Sequence, residues 1–148
     1  MKKYGILFSI FGFLSVALGA FGAHGLKTIL DENALTIYHT AVTYQFYHTL
    51  ALGIVLLLAE NRPIKYLQRA AACFTFGIVI FSGSLYTLAL TKIAILGAIT
   101  PIGGLLFLIG WVFVGIAFVN VKNESCTKPL AGSFNHEKRN QIKKYTAL

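Results

Sequence analysis

Four long apolar stretches separated by short polar segments dominate this 148-residue sequence. They occupy about residues 5–23, 40–59, 70–90 and 96–119, and an α-helix needs about 20 apolar residues to cross a hydrocarbon core of about 30 Å. Hydrophobic residues make up 56% of the chain and charged residues 12%, against about 25% charged residues in an average soluble domain. A soluble globule of this size would lack the charges to cover its surface. The sequence therefore predicts an all-α integral membrane protein, a bundle of four helices.

The second stretch is the least apolar of the four. Only residues 46–59 are mainly apolar, so a helix that crosses the membrane here must also include the polar residues 40–45. Asp31 or Asn33 is a suitable N-cap, because short polar side chains accept hydrogen bonds from the first free backbone N–H groups of a helix. We expect a long helix that is polar in its outer half.

The distribution of positive charge predicts the orientation. The chain has 13 Lys and Arg residues; if the N-terminus is cytoplasmic, only Lys27 and Lys92 lie outside, which leaves 11 inside. Such an excess is typical of cytoplasmic segments. We therefore predict that residues 1–120 form a domain of four spans with both termini in the cytoplasm. Residues 121–148 form a basic, flexible tail that contacts anionic lipid headgroups and not nucleic acid.

Polar residues within the spans gather in the outer half of the predicted membrane. At about 1.5 Å per residue, His48 lies about 18 Å and Gln45 about 22 Å from the cytoplasmic end of the second span, and Ser84 lies about 22 Å deep in the third. Tyr44, Gln45 and His48 share one arc of about 100° on their helix. Because polar groups in hydrocarbon need partners, we expect this arc to face the bundle and to meet the third span.

Two sets of residues are therefore candidates for function. The candidate polar pocket consists of His24, His39, Tyr44, Gln45, His48, Ser82, Ser84, Tyr86 and Thr100. The positions suited to a hinge or to close helix packing are Gly19, Gly22, Gly83, Pro101, Gly103 and Gly104. The Thr-Pro pair within the second set has two interpretations: a broken helix at a binding site, or a helix start with close packing.

His48 has two interpretations. It is either a proton relay or ligand in mid-membrane, or a neutral imidazole hydrogen-bonded to a Ser or Tyr of a neighbouring helix. His39 lies nine residues away on the opposite face, and the spans contain no carboxylate, so we predict neither a metal nor a cofactor. Ser82 and Ser84 lack the G-x-S-x-G pattern of a nucleophile elbow, and we predict no enzymatic activity.

Four ordered blocks of this sequence closely resemble a known family. They are GAFGAHGLK (19–27), YHTAVTYQFYH (38–48), FSGSLY (81–86) and LGAITPIGG (96–104). The family is domain-of-unknown-function family 423, whose eukaryotic relatives form the transmembrane protein 256 family. The resemblance covers residues 5–119 and implies a small bacterial inner-membrane (plasma-membrane) protein with four spans. It implies no activity.

The sequence is compatible with two functions. The first is a transporter or channel that carries a small solute or protons through a polar pocket in the outer half of the membrane; four spans are few for this task, so it favours a homo-oligomer. The second is a non-transporting membrane scaffold or interaction protein whose polar residues only fix the packing of the helices. A solvated cleft that reaches His48 would favour the first, and a closed hydrogen-bond network would favour the second.

Overall fold

The computed structural model describes residues 1–60 and 64–125 of the chain and contains four α-helices in that part. The helices are α1 (Lys2–His24), α2 (Glu32–Leu58), α3 (Ile64–Thr91) and α4 (Ile95–Ser125). All four are long and apolar enough to cross a membrane, and the described residues include no β-strand. The predicted all-α class with four spanning helices is confirmed. Most of the predicted tail, residues 126–148, lies outside the described residues.

Each helix packs mainly on its neighbour in the chain. α1 packs on α2, α2 on α3 and α3 on α4, and α1 makes only a minor contact with α3. Neighbouring helices are antiparallel: Gly22 of α1 lies against Tyr38 of α2, whereas Phe8 lies against Gly53. We call the end that holds the α1–α2 and α3–α4 connections the outer end, in line with the predicted orientation.

The carboxylate of Asp31 links the start of α2 to Lys92, the residue that follows α3. Its Oδ1 accepts a hydrogen bond of 2.9 Å from the Ala34 N–H, so Asp31 caps α2 as expected. Its Oδ2 accepts a hydrogen bond of 2.6 Å from Lys92 Nζ. Lys92 directly follows α3 and has a φ of 59°, in the left-handed region that side chains other than glycine rarely adopt. One side chain therefore fixes both the start of α2 and the turn that leads into α4.

Asp31→Asn and Asp31→Ala should separate these two roles. Asparagine keeps the cap and loses the ion pair, whereas alanine loses both, so we expect Asp31→Ala to lower the thermal midpoint more. The hydrogen bond from Lys92, helped by the Ala34 N–H, holds the pKa of Asp31 below its ordinary value of 3.8. The stability that these two hydrogen bonds give to the folded protein is therefore complete above pH 3.8 and is lost as the pH falls through the lowered pKa of Asp31. Thermal melts of the three proteins in detergent at several pH values would test this, and identical midpoints would contradict it.

Glycines opposite aromatic rings bring α3 and α4 close together. A Cβ at Gly77 would lie 2.5 Å from the Phe107 ring, and one at Gly103 would lie 2.5 Å from the Phe81 backbone nitrogen. Gly110 faces Phe74 in the same way. Small residues allow such close approach between membrane helices, where van der Waals packing is the main attraction. Gly103, one of the predicted positions, therefore lies at a close contact between α3 and α4.

The other predicted glycine positions differ in how closely they pack against neighbouring helices. Gly19 and Gly22 do pack closely, against Val42 and Tyr38. At Gly104 an added Cβ would make only ordinary contacts with Phe81, at 3.7 Å and beyond. The structure contradicts a close-packing role for Gly83, because no described atom lies within 4 Å of a Cβ placed there.

Pro101 lies inside α4, which begins at Ile95, and not at a helix start. Because proline has no backbone N–H, α4 lacks one intrahelical hydrogen bond at this position.

Candidate functional site

The candidate pocket residues that the fold brings together form one layer between two apolar clusters. The larger cluster extends toward the inner end and includes Leu52, Phe74 and Phe107. The smaller one, at the outer end, is built on Leu26, Tyr38 and Ala89. We call the residues between them the polar layer: Gln45, His48, Ser82, Ser84, Tyr86 and Thr100.

Gln45 is the centre of the polar layer. Its side chain is 3% exposed. Nε2 donates a hydrogen bond of 3.1 Å to the carbonyl oxygen of Phe11 in α1, and Oε1 accepts one of 2.9 Å from the hydroxyl of Tyr86 in α3. An amide side chain offers both donors and an acceptor, so this one residue of α2 ties together three helices.

Two tyrosines extend this arrangement toward the outer end. The buried Tyr38 donates a hydrogen bond of 3.0 Å to the Leu18 carbonyl oxygen of α1. Its ring contacts that of Tyr86 with centroids 5.1 Å apart. The Tyr38 ring fits here because Gly22 has no side chain; a Cβ there would lie 2.6 Å from Tyr38 Cε1. The backbone of α1 thus accepts hydrogen bonds from α2 at two levels.

The two serines of α3 contact different neighbouring helices through their hydroxyl groups. Ser82 is buried and donates a hydrogen bond of 2.9 Å to the Ala41 carbonyl oxygen of α2. Ser84 lies on the other side, where its hydroxyl is 2.8 Å from that of Thr100 in α4 and also donates to the Phe81 carbonyl oxygen in its own helix. Polar contacts of the layer therefore connect α3 to both of its neighbours.

His48 is enclosed by aromatic rings and is 8% exposed. Its Nδ1 lies 2.8 Å from the Tyr44 carbonyl oxygen one turn earlier. Because a carbonyl only accepts, Nδ1 is the donor of this hydrogen bond. The imidazole stacks flat on Phe107 of α4, with centroids 3.4 Å apart and planes 9° apart, and Phe74 of α3 closes another side.

In the structure His48 does not form the hydrogen bond to a Ser or Tyr of a neighbouring helix that one of its two interpretations requires. Ser82 is used by a backbone carbonyl, and the Tyr86 hydroxyl is used by Gln45. Among the residues that the structure describes, nothing forms a hydrogen bond with His48 Nε2. The ring is held by stacking instead.

Three other candidates lie outside the polar layer. Tyr44 is 41% exposed, and its ring stacks on Phe81 of α3, with Phe107 of α4 farther away; it therefore lies at the edge of the arc. His24 and His39 are exposed near the outer end and do not join the layer. Across residues 1–60 and 64–125, no group of three or more His, Cys, Asp or Glu is placed to hold a metal ion.

Several buried hydroxyl groups were not among the candidates. Thr49 donates to the Gln45 carbonyl oxygen at 2.7 Å, and Ser15 donates to that of Phe11 at 2.8 Å. Thr75 is buried, and its hydroxyl has no hydrogen-bond partner in the described part of the chain. The positions of Tyr38 and Thr49, seven residues before and four after Gln45, place them on its face, which is a signal in the sequence that could have identified them.

The cavities on the described part of the molecule include two that lie away from the polar layer. A cavity of about 520 Å³ is apolar and is lined by Phe8, Leu50, Gly53, Ile54, Leu56 and Leu57. A second, of about 180 Å³, lies at the outer end beside the ion pair and is lined by Asp31, Asn33, Ala34, Ile37, Leu88, Lys92 and Ala94. Neither cavity is lined by Gln45, His48 or Ser82.

Comparison with known proteins agrees with this architecture. The sequence profile of the family described as "Protein of unknown function (DUF423)" matches residues 18–104. A UPF0382 membrane protein of Staphylococcus epidermidis is 49% identical over 117 residues, which cover 79% of this chain and 95% of the relative. The UPF0382 membrane protein YwdK of Bacillus subtilis is 47% identical over 120 residues, 80% of this chain and 98% of the relative.

A third relative has a lower identity. The UPF0382 membrane protein of Haemophilus influenzae is 43% identical over 124 residues, which cover 84% of this chain and 98% of the relative. No solved structure matches the chain. The four apolar helices and the names of these relatives together identify a multi-pass membrane protein, and the chain belongs to the DUF423 family.

Proposed function

We propose that the protein is a non-transporting membrane interaction protein: its polar layer holds the helices in register, and its lipid-facing surface binds other membrane-embedded chains. The observation that carries this proposal is the closure of the layer around Gln45. Its amide and the hydroxyls of Tyr86 and Ser82 bind one another or the carbonyl oxygens of adjacent helices. We propose no catalytic activity.

The energies of these bonds support a structural role. Hydrogen bonds between membrane helices contribute about 0.6 kcal/mol on average and up to about 1.7 kcal/mol. A buried polar group left without a partner costs about 1–3 kcal/mol. A solute that passed through the layer would have to break the bonds of Gln45 to both α1 and α3. The same bonds are well suited to fixing the register of three helices.

Transport of a small solute or protons is the second candidate, favoured by two unpaired groups. His48 Nε2 makes no hydrogen bond with the described residues, and the buried Thr75 hydroxyl has no partner among them. A proton relay needs such free positions. Thr75 is buried, however, and the rings of Phe74 and Phe107 pack against the His48 imidazole.

Proton flux into vesicles that contain the purified protein separates the two functions. We expect wild-type and His48→Phe vesicles to acidify no faster than protein-free vesicles, with a protonophore as the positive control. Phenylalanine keeps the stack on Phe107, so the thermal midpoint should change little. His48→Ala removes the ring and should destabilise the protein by about 3–5 kcal/mol, as deletions of buried aromatic rings do. Wild-type flux that His48→Phe abolishes would contradict the proposal.

The location of the protein completes the proposal. We propose that the protein lies in the bacterial inner membrane with both termini in the cytoplasm. In this orientation 11 of the 13 Lys and Arg residues lie on the cytoplasmic side and 2 on the outer side. The basic residues of the tail would bind anionic lipid headgroups. The interaction partner that we consider first is another copy of the chain, as a homo-oligomer.

A further inference from the structure

The packing of α2 leaves one side of this helix open along its whole length. Its contacts with α1 are made through residues such as Val42 and Gly53, those with α3 through Ala41 and Gln45, and those with α4 through His48. These residues lie on one side of the helix. The opposite side carries a row at alternating intervals of four and three residues, which we call the α2 seam: Thr36, Thr40, Thr43, Tyr47, Leu50, Ile54 and Leu57.

Most of the seam is exposed, and its outer part is polar within the membrane. Tyr47 is 59% exposed and Thr43 is also exposed. At about 1.5 Å per residue from the inner end of α2, Tyr47 lies about 17 Å and Thr43 about 23 Å deep, inside a hydrocarbon core of about 30 Å. Thr36 and Thr40 donate to carbonyl oxygens of their own helix. The hydroxyls of Thr43 and Tyr47 have no hydrogen-bond partner in the part of the chain described.

Unpaired hydroxyls facing lipid are costly, and in membrane proteins such groups commonly hydrogen-bond across helix interfaces. We propose that the α2 seam is the contact surface between two copies of this chain, related by a twofold axis along the membrane normal. This inference rests on the proposed function and names the partner. Under such an axis, each residue near the seam meets its own counterpart at the same depth.

The chemistry of the seam fits a second copy. A hydroxyl both donates and accepts, so Thr43 can pair with Thr43 of the other copy, and Tyr47 with its counterpart. A charged residue would repel its own counterpart, and the seam contains none. The intervals of four and three residues are those along which paired helices interlock in left-handed packing, the commonest geometry in membranes.

The inner part of the seam provides a second, apolar contact. Leu50, Ile54 and Leu57 belong to the seam and also line the apolar cavity of about 520 Å³ between α1 and α2. This groove therefore continues the polar row toward the inner end of the same side. In the proposed dimer, apolar side chains of the second α2 would fill it, while the hydroxyls above would fix the register.

Disulfide cross-linking in native membranes tests this inference. With Cys73→Ala and Cys126→Ala as background, Thr43→Cys should give a product of twice the mass of the chain under mild oxidation. The matched control is Leu105→Cys, which is equally lipid-facing but on α4 and should remain monomeric. Equal cross-linking of both variants would indicate random collision and would overturn the inference, as would a Thr43→Cys product with a different protein or none at all.

A second measurement does not depend on oxidation. Thr43→Ala combined with Tyr47→Phe removes only exposed hydroxyls, so the monomer should fold normally while its dimer dissociates at an approximately tenfold higher protein-to-lipid ratio, which corresponds to about 1.4 kcal/mol. Energy transfer between labelled copies in vesicles reports this ratio, and an unchanged ratio would overturn the inference. A monomeric protein in proton-tight vesicles would overturn the dimer alone. Proton flux through His48 would overturn the proposed function, whatever the cross-linking result.

Discussion

Gly103→Ala is expected to destabilise the protein by about 1–3 kcal/mol or more, although it adds a single methyl group. The new Cβ would lie 2.5 Å from the backbone nitrogen of Phe81 and 2.8 Å from its Cα. A backbone atom in a helix cannot move away as the end of a flexible side chain can. α3 and α4 would have to separate, which would weaken the packing of Phe81 and Phe107 between them. Equilibrium unfolding in mixed detergent micelles would measure the change.

Gly115→Ala provides the matched control for Gly103→Ala. Gly115 lies in the same helix, and no described atom lies within 4 Å of a Cβ placed there. Because the methyl group would point into open space, we expect no loss of stability, and a gain of up to about 1 kcal/mol, since alanine is favoured over glycine inside a helix. An equal loss of stability in both variants would contradict our explanation, because the cost would then come from α4 itself and not from its contact with α3.

Gln45→Leu is expected to destabilise the protein by about 2–4 kcal/mol. The substitution leaves the Tyr86 hydroxyl without its partner, which costs about 1–3 kcal/mol when the group cannot reach water. It also removes the bond to the Phe11 carbonyl oxygen, which keeps its bond from Ser15, so this second loss is only that of one interhelical hydrogen bond, about 1 kcal/mol. Leucine has a similar size, so little of the effect would come from a cavity. The thermal midpoint and the unfolding free energy in detergent would measure it.

Tyr86→Phe separates the two bonds of Gln45. It leaves one buried acceptor, Gln45 Oε1, without its partner, so we expect a loss of about 1–3 kcal/mol, smaller than that of Gln45→Leu, which also removes the bond to Phe11. In the double variant, Tyr86 no longer presents an unpaired hydroxyl, so Gln45→Leu should cost less than it does alone. Strictly additive effects would show that the two side chains are not coupled and would contradict the closed layer.

The sequence pattern predicted the helices and part of the polar layer. The length and apolar character of the stretches predicted four helices, and the preference for a short polar N-cap predicted Asp31 or Asn33 at the start of α2, where the structure has Asp31. The shared arc on α2 also predicted that Gln45 would be buried with a partner on α3, which is Tyr86. These features depend on local periodicity and on the cost of unpaired polar groups.

The partners of the other polar residues depend on information that a side-chain pattern lacks. Ser82 and Tyr38 donate to backbone carbonyl oxygens of neighbouring helices, and every residue has such an oxygen. His48 is held by stacking on Phe107, which lies 59 positions along the chain. The arc indicates the direction of a side chain but not which of three neighbouring helices it meets.

The glycines of the α3–α4 contact could be identified only in part for a related reason. Gly103 belongs to a Gly-Gly pair, which indicates close helix packing, whereas Gly77 and Gly110 are isolated in apolar runs. Each matters only because the register of two antiparallel helices places it opposite an aromatic ring. That register becomes visible when both helices are seen together.

The access of water to the polar layer can be measured directly at Ser82, where cysteine is nearly the same size. With Cys73→Ala and Cys126→Ala as background, Ser82→Cys and the exposed loop variant Thr28→Cys would be treated with a charged thiol reagent that reaches both faces of the membrane. We expect complete labelling of Thr28→Cys and no labelling of Ser82→Cys in the same time. Labelling of Ser82→Cys at a comparable rate would show a water-filled cleft and would contradict a closed polar layer.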